Sequence, residues 1–133
     1  MNDEETLLAA GLAVRRAMFG REGAEDRLTS ANGLNRALEE YVTRYCFGAT
    51  WTRPHLDLKT RSLLTLAMLA ALGKPNQLKV HVRGALANGA TREEIREVIL
   101  HVVPYAGIPA AVEAINAAAD LLLPWNDNDN EHE

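Results

Sequence analysis

Apolar residues recur along this chain at spacings of three and four, and no stretch alternates in and out as a half-buried strand does. The pattern predicts an all-α protein. The clearest helix follows Gly89, where Thr91 and Glu94 stand at the spacing of a capping box. Behind that cap, Ile95, Val98, Ile99, Val102, Val103 and Ala106 fall on one face. Pro104 is expected to distort or end this helix, and Gly107 with Pro109 opens the next. The same reading gives six helical segments, over 4–19, 32–48, 57–72, 75–88, 92–106 and 108–123. They are separated at Gly20 and Gly23, at Gly48 to Pro54, at Gly73 and Pro75, and at Gly89. Residues 1–123 form one helical domain, and 124–133 read as an acidic, disordered tail.

Two segments point beyond a single chain. From Leu58 through Leu63, Leu64, Leu66, Met68 and Leu69 to Leu72, the third helix is apolar on nearly every side, as a helix surrounded by protein is. The sixth carries Ala110, Ala111, Ala114, Ala117, Ala118 and Ala119, small enough for close helix approach. A chain of 133 residues is large enough for one core but too short to enclose both helices by itself. Self-association, as a dimer at least, is the expectation.

Charge narrows the function classes. The net charge of −4 equals the contribution of Asp127, Asp129, Glu131 and Glu133 at the C-terminus, which leaves the body near neutral. A neutral body has no field for gripping phosphates, so a nucleic-acid partner is not expected. No apolar run reaches a membrane span, and Asp3, Glu4 and Glu5 do not fit the basic start of a secretory leader. The expected address is the cytoplasm. Cys46 is the single cysteine, which excludes an intrachain disulfide and a CxxC pair. His81 and His101 stand alone, with His55 and His132 in a loop and the tail, so no metal site is expected.

Several polar residues fall where a helical wheel expects apolar ones. Arg61 sits within a stripe of Leu58, Thr65, Met68 and Leu72, and a buried guanidinium needs an anionic partner. It reads equally as a structural residue or a substrate anchor. Lys74, Gln77, His81 and Asn88 share a strip beside Leu78, Val82 and Leu86, which favours a functional His81. Glu40 and Arg44 are spaced as a helix-surface ion pair, which is the simpler reading, or as a catalytic pair. Glu97, His101 and Tyr105 flank the core stripe of 92–106, and His101 reads as a solvated, interface or site residue.

The segments GLAVRRAMFG at 11–20 and EEYVTRYCFGATWTRPHLDLKTRSLLTLAMLAALG at 39–73 resemble the gamma-carboxymuconolactone decarboxylase family. So do LKVHVRGALANGATREEIREVILHV at 78–102 and YAGIPAA at 105–111. The likeness covers residues 11–123, with WTRP and RSLLTLAMLAALG its most specific parts. It implies an all-helical fold of the alkyl hydroperoxidase D type, a hexamer, and cofactor-independent conversion of 4-carboxymuconolactone to 3-oxoadipate enol-lactone and CO₂ in protocatechuate breakdown. A related carboxylated lactone, or a fold that has lost its chemistry, are the alternatives. The superfamily's peroxidases carry CxxC ahead of a histidine. Here Lys74 and Gln77 occupy those cysteine positions, and Ser62 stands where their glutamate is expected, so thiol peroxidase chemistry is not expected. Pro104, just before YAG, departs from the decarboxylase pattern.

The implied reaction supplies its own electron sink, so the protein must hold a dianion, stabilise an oxyanion and supply an acid. Arg53 and Arg61, with Arg44 in reserve, are the candidate clamps for the spectator carboxylate. His81 is the candidate acid or oxyanion donor and Glu40 its candidate orienter. Trp51 and Tyr105 are candidate walls, with His101 beside them.

Overall fold

Among the residues that the computed structural model describes, 2–126, every regular element is helical. The expected acidic tail from Asp127 onward lies outside the described residues. Helix α1 (Asp3–Phe19) is capped by Asn2, whose side chain accepts the Glu5 N–H at 2.7 Å. Asp3, Glu4 and Glu5 fill its first turn, where negative charge suits the helix dipole. A 3₁₀ turn (Arg21–Gly23) leads to the short α2 (Glu25–Thr29). Helix α3 (Arg36–Tyr41) runs directly into a π-helical segment, Val42–Thr50. Helices α4 (Leu58–Ala71), α5 (Pro75–Ala87), α6 (Arg92–Ala106) and α7 (Ile108–Leu122) complete the chain.

Three differences from the sequence reading have physical causes. The stretch read as a break after Gly20 holds α2, which is too short to show helical periodicity. The segment expected as one helix over 32–48 begins at Arg36 and changes to wider π turns, which extend it to Thr50. Pro104 neither ends nor breaks α6, which runs on to Ala106. Its missing N–H would have bonded the carbonyl of Leu100, and Leu100 sits on the outer face, where water can serve instead. The Thr91–Glu94 capping box is present at both of its bonds.

The core belongs to α4, α5, α6 and α7. Leu66, Leu78, Val82 and Ile95 are fully buried in it, and the Ala111, Ala114 and Ala118 row of α7 closes against the other three. Truncating one of these leucines to alanine is worth about 2–5 kcal/mol. The expected enclosure of α4 is not achieved by one chain: Leu64, Met68 and Leu72 face outward. Its inner face is instead Ser62, Leu66 and Ala70.

Against this core lies a second layer made of α1 and the π-helical segment. The two backbones approach at glycine on both sides. A Cβ on Gly11 would lie 1.7 Å from the Thr43 carbonyl oxygen, and one on Gly48 2.2 Å from that of Leu7. No other residue fits at either position. At the C-terminal end, Arg92 donates to the carbonyls of Leu122 and Pro124, and Trp125 lies over Arg92 and Arg96.

Candidate functional site

His81 projects from α5 into the seam between the core and the α1 layer. Phe19, the last residue of α1, meets it edge-on at 5.5 Å between ring centroids, and Trp51 stacks on it at 6.2 Å. Phe47 joins the group, stacked on Trp51 at 5.4 Å and edge-on to Phe19 at 6.0 Å. Two local features build this box. The i→i+5 turns of the π-helical segment carry through to Trp51, whose N–H bonds the Cys46 carbonyl at 2.9 Å. One turn beyond His81, Gly84 leaves the space into which Phe19 fits; a Cβ there would come within 2.8 Å of the Phe19 ring.

The imidazole is half-buried, and its Nδ1 is sealed from solvent with no hydrogen-bond partner. Burial holds its pKa below the ordinary value of about 6.5. The ring is therefore neutral at pH 7. Buried polar atoms without a partner are uncommon in folded proteins, so this face of the ring is a polar spot in otherwise apolar surroundings.

Arg61 and Arg53 meet at the N-terminal end of α4. Arg61 donates from Nη2 to the Arg53 carbonyl at 3.1 Å, while its Nε is buried without a partner. The stripe in which Arg61 was expected to be buried faces outward, because an all-round apolar helix gives a wheel no means of choosing its inner side. That side is set by Ser62, fully buried and bonded by the Asn88 amide at 3.0 Å. Asn88 thus belongs to the α4–α5 contact, and Lys74 and Gln77 are exposed, so the polar strip does not act as one unit.

Glu40 and Arg44 form the i, i+4 ion pair at 3.4 Å, with Arg44 also donating to the Glu4 carbonyl. Beside them, Tyr45 donates to the Glu4 carboxylate at 3.0 Å. His101 and Tyr105 pair one turn apart on α6, with centroids 5.5 Å apart. They line an open apolar groove of about 600 Å³ between α4 and α6, with Leu64, Met68 and Val98 among its other walls. The sequence-predicted residues therefore come together as four pairs: His81 with Trp51, Arg53 with Arg61, Glu40 with Arg44, and His101 with Tyr105. Among the described residues, no three His, Cys, Asp or Glu side chains cluster as metal ligands.

Sequence reasoning missed the aromatic partners Phe19 and Phe47, and it missed Arg15. This arginine is buried on α1 and bonds Glu39 at 3.1 Å, the Thr43 hydroxyl at 2.8 Å and the Gly23 carbonyl at 2.8 Å. Its guanidinium lies over the Phe47 ring at 5.6 Å. A signal was present: Gly11, Arg15 and Met18 stand at i, i+4 and i+7 and share the buried face of α1.

The profile of the Carboxymuconolactone decarboxylase family matches residues 36–120. Over 121 residues the chain is 38% identical to a 4-carboxymuconolactone decarboxylase of Acinetobacter baylyi, covering 91% of this chain and 90% of that protein. It is 40% identical over 116 residues to a nitrosuccinic acid decarboxylase of Metarhizium robertsii, covering 86% and 81% respectively. A shorter match, 45% over 78 residues, is to an uncharacterised 15.0 kDa protein of Paracoccus denitrificans.

Proposed function

The chain belongs to the carboxymuconolactone decarboxylase family, and we propose that it is a cytoplasmic, homo-oligomeric carbon–carbon lyase that decarboxylates 4-carboxymuconolactone to 3-oxoadipate enol-lactone. The observation that carries this reading is the match to a decarboxylase of that substrate over nine-tenths of both chains. No helix among the described residues is long and apolar enough to cross a membrane.

The substrate dictates the steps. The bond from the ring carbon to the departing carboxylate breaks, and its electron pair moves through the ring double bond to the lactone carbonyl oxygen. The resulting dienolate then takes a proton on carbon. Arg61, with a buried Nε that lacks an acceptor, and the exposed Arg53 beside it supply donors for the spectator carboxylate. That group keeps its charge throughout, so gripping it costs nothing in the transition state. His81 faces the oxygen where charge develops. Because burial keeps the ring neutral, its role is an N–H donor to the oxyanion, with Nε2 the nitrogen not sealed away, and water protonates carbon. Trp51 walls the niche. Glu40 and Arg44, already paired to one another, stand outside the reacting set. His101 and Tyr105 line a groove that a second copy of the chain covers.

A second reading has its own support in the 40% identity to a nitrosuccinic acid decarboxylase. A 2-nitro acid loses CO₂ with the electron pair held on the nitro oxygens, which makes the same demands: an anion clamp and a donor to the developing oxyanion. Purified protein is to be mixed with each acid and CO₂ release followed. Turnover of 4-carboxymuconolactone is expected. Turnover of nitrosuccinate alone would replace the first reading with the second, and turnover of neither would remove both.

A further inference from the structure

We infer that Arg15 is a positioning residue for His81, acting through Phe47 and Trp51. The inference rests on the reading of His81 as the group that meets substrate. Arg15 touches neither the imidazole nor the arginines of the clamp, yet a continuous run of contacts joins it to His81. Its guanidinium lies over Phe47 at 5.6 Å, Phe47 stacks on Trp51 at 5.4 Å, and Trp51 stacks on His81 at 6.2 Å. Phe19, one helical turn beyond Arg15 on α1, closes the same array from the other side.

The arginine is fixed more firmly than a packing residue needs. It is 7% exposed and bonded from two nitrogens to α3, the π-helical segment and the turn after α1. Glu39, its carboxylate partner, is also held by Arg27 of α2 at 3.1 Å. This network clamps Val42–Thr50 at Thr43, one turn before Phe47. A π-helical segment is an uncommon and weakly favoured conformation, so its register needs an external lock. Gly11 and Gly48 permit the close approach, and Arg15 fixes which residues face α5. A slip in that register would turn Phe47 and Trp51 away and admit water to the sealed Nδ1 of His81.

Electrostatics gives Arg15 no direct route to the imidazole. Charged groups on the elements packed around α5 include Arg15 and Arg16 on α1, Lys59 and Arg61 on α4, and Glu113 and Asp120 on α7. None of these produces the lowered proton affinity of His81; burial alone does. Arg15 must therefore act by keeping the aromatic wall shut.

The test uses the full chain and reads His81 directly. Its imidazole C–H resonance, assigned by comparison with His81→Gln, is titrated by NMR in the wild type and in Arg15→Met, Arg15→Lys and Phe47→Leu. The wild-type midpoint is expected below the ordinary histidine value. In Arg15→Met it is expected to rise towards about 6.5. Trp51 emission in a Trp125→Phe background is expected to move to longer wavelength as water enters. With substrate, kcat is expected to fall by about ten- to a hundredfold while KM stays within about twofold, as misplacement of a reacting group does. Arg15→Lys keeps the cation but loses the fork of donors, and is expected to fall between. If Arg15→Met does not fold, Phe47→Leu decides, because it cuts the array one link later and leaves the ion pairs intact. A folded Arg15→Met or Phe47→Leu with an unmoved His81 midpoint would overturn the inference, whatever its thermal stability. The site reading fails separately, if His81→Gln retains full turnover.

Discussion

Two histidines stand on successive core helices, α5 and α6, and their surroundings differ in ways that bear on chemistry. His81 is boxed by Phe19 of α1 and by Trp51 just past the π-helical segment, both thirty or more residues distant in sequence, and one of its nitrogens is orphaned. His101 leans on Tyr105 of its own helix, in a wide apolar groove where Tyr105 is 82% exposed. The groove is open, apolar and about 600 Å³ in volume. Catalysis needs groups held in advance against water, whereas association needs apolar area. Cavity volume alone would have pointed to His101.

The comparison breaks most directly at the histidines themselves. His81→Ala is expected to stay folded and lower kcat and kcat/KM together by about 10²–10⁴, the usual loss for an oxyanion donor. His101→Ala is expected to change either by less than about threefold, within what a surface substitution does. Steady-state kinetics on both variants reads the difference. Equal losses would erase the distinction drawn between the two regions.

Next in size is the clamp. Arg61→Ala removes charge-assisted hydrogen bonds worth about 1.5–3 kcal/mol, so KM is expected to rise by about ten- to a hundredfold with kcat less affected. Circular dichroism must accompany those kinetics, since Arg61 also ties the 51–57 loop through the Arg53 carbonyl. A loss confined to kcat would move Arg61 from holding substrate to the reacting centre.

A smaller effect on turnover, but a clear one on size, is expected in the groove. Met68 and Leu64 face outward there on α4, and Leu72 continues that face. Sedimentation at micromolar concentration is expected to give a dimer at least and a hexamer at full assembly. Met68→Glu is expected to shift the population to smaller species. A wild-type monomer would remove the groove's assignment to subunit contact.

How much of this was legible beforehand depends on which periodicity governs. Helices α4 to α7 follow ordinary spacing, and several of their ends carry plain signals: Pro75, the Thr91–Glu94 box and Gly107. The 42–50 segment obeys a different period, so a wheel drawn at 100° per residue misplaces Phe47 and Trp51. Arg15 carries no local mark that sets it apart from the adjacent Arg16, which is exposed and pairs with Glu25. The stripe around Arg61 was placed inward for the opposite reason, since α4 is apolar on all sides and offers no contrast. His81 was singled out by type and by its apolar neighbours, although the polar strip that supported it is divided in the structure. Long-range ring contacts, which make it distinctive, have no local sequence mark.

The smallest expected effect is on stability, and it follows from the sign of the His81 shift. Burial lowers the proton affinity of the folded imidazole relative to the unfolded chain, where the ordinary value of about 6.5 applies. Below that value the unfolded state binds a proton that the folded state refuses, so stability falls as pH falls. Above it, neither state is protonated at this position and the term vanishes. Comparing wild type with His81→Gln by urea unfolding isolates the contribution from the other carboxylates and histidines. The difference in unfolding free energy between the two is expected to be flat above about pH 7 and to turn against the wild type below pH 6.5, with a slope no steeper than about 1.4 kcal/mol per pH unit for one proton. A bend of the opposite sign for His81 would mean that the folded ring is stabilised as imidazolium. The oxyanion-donor role would then give way to that of a general acid.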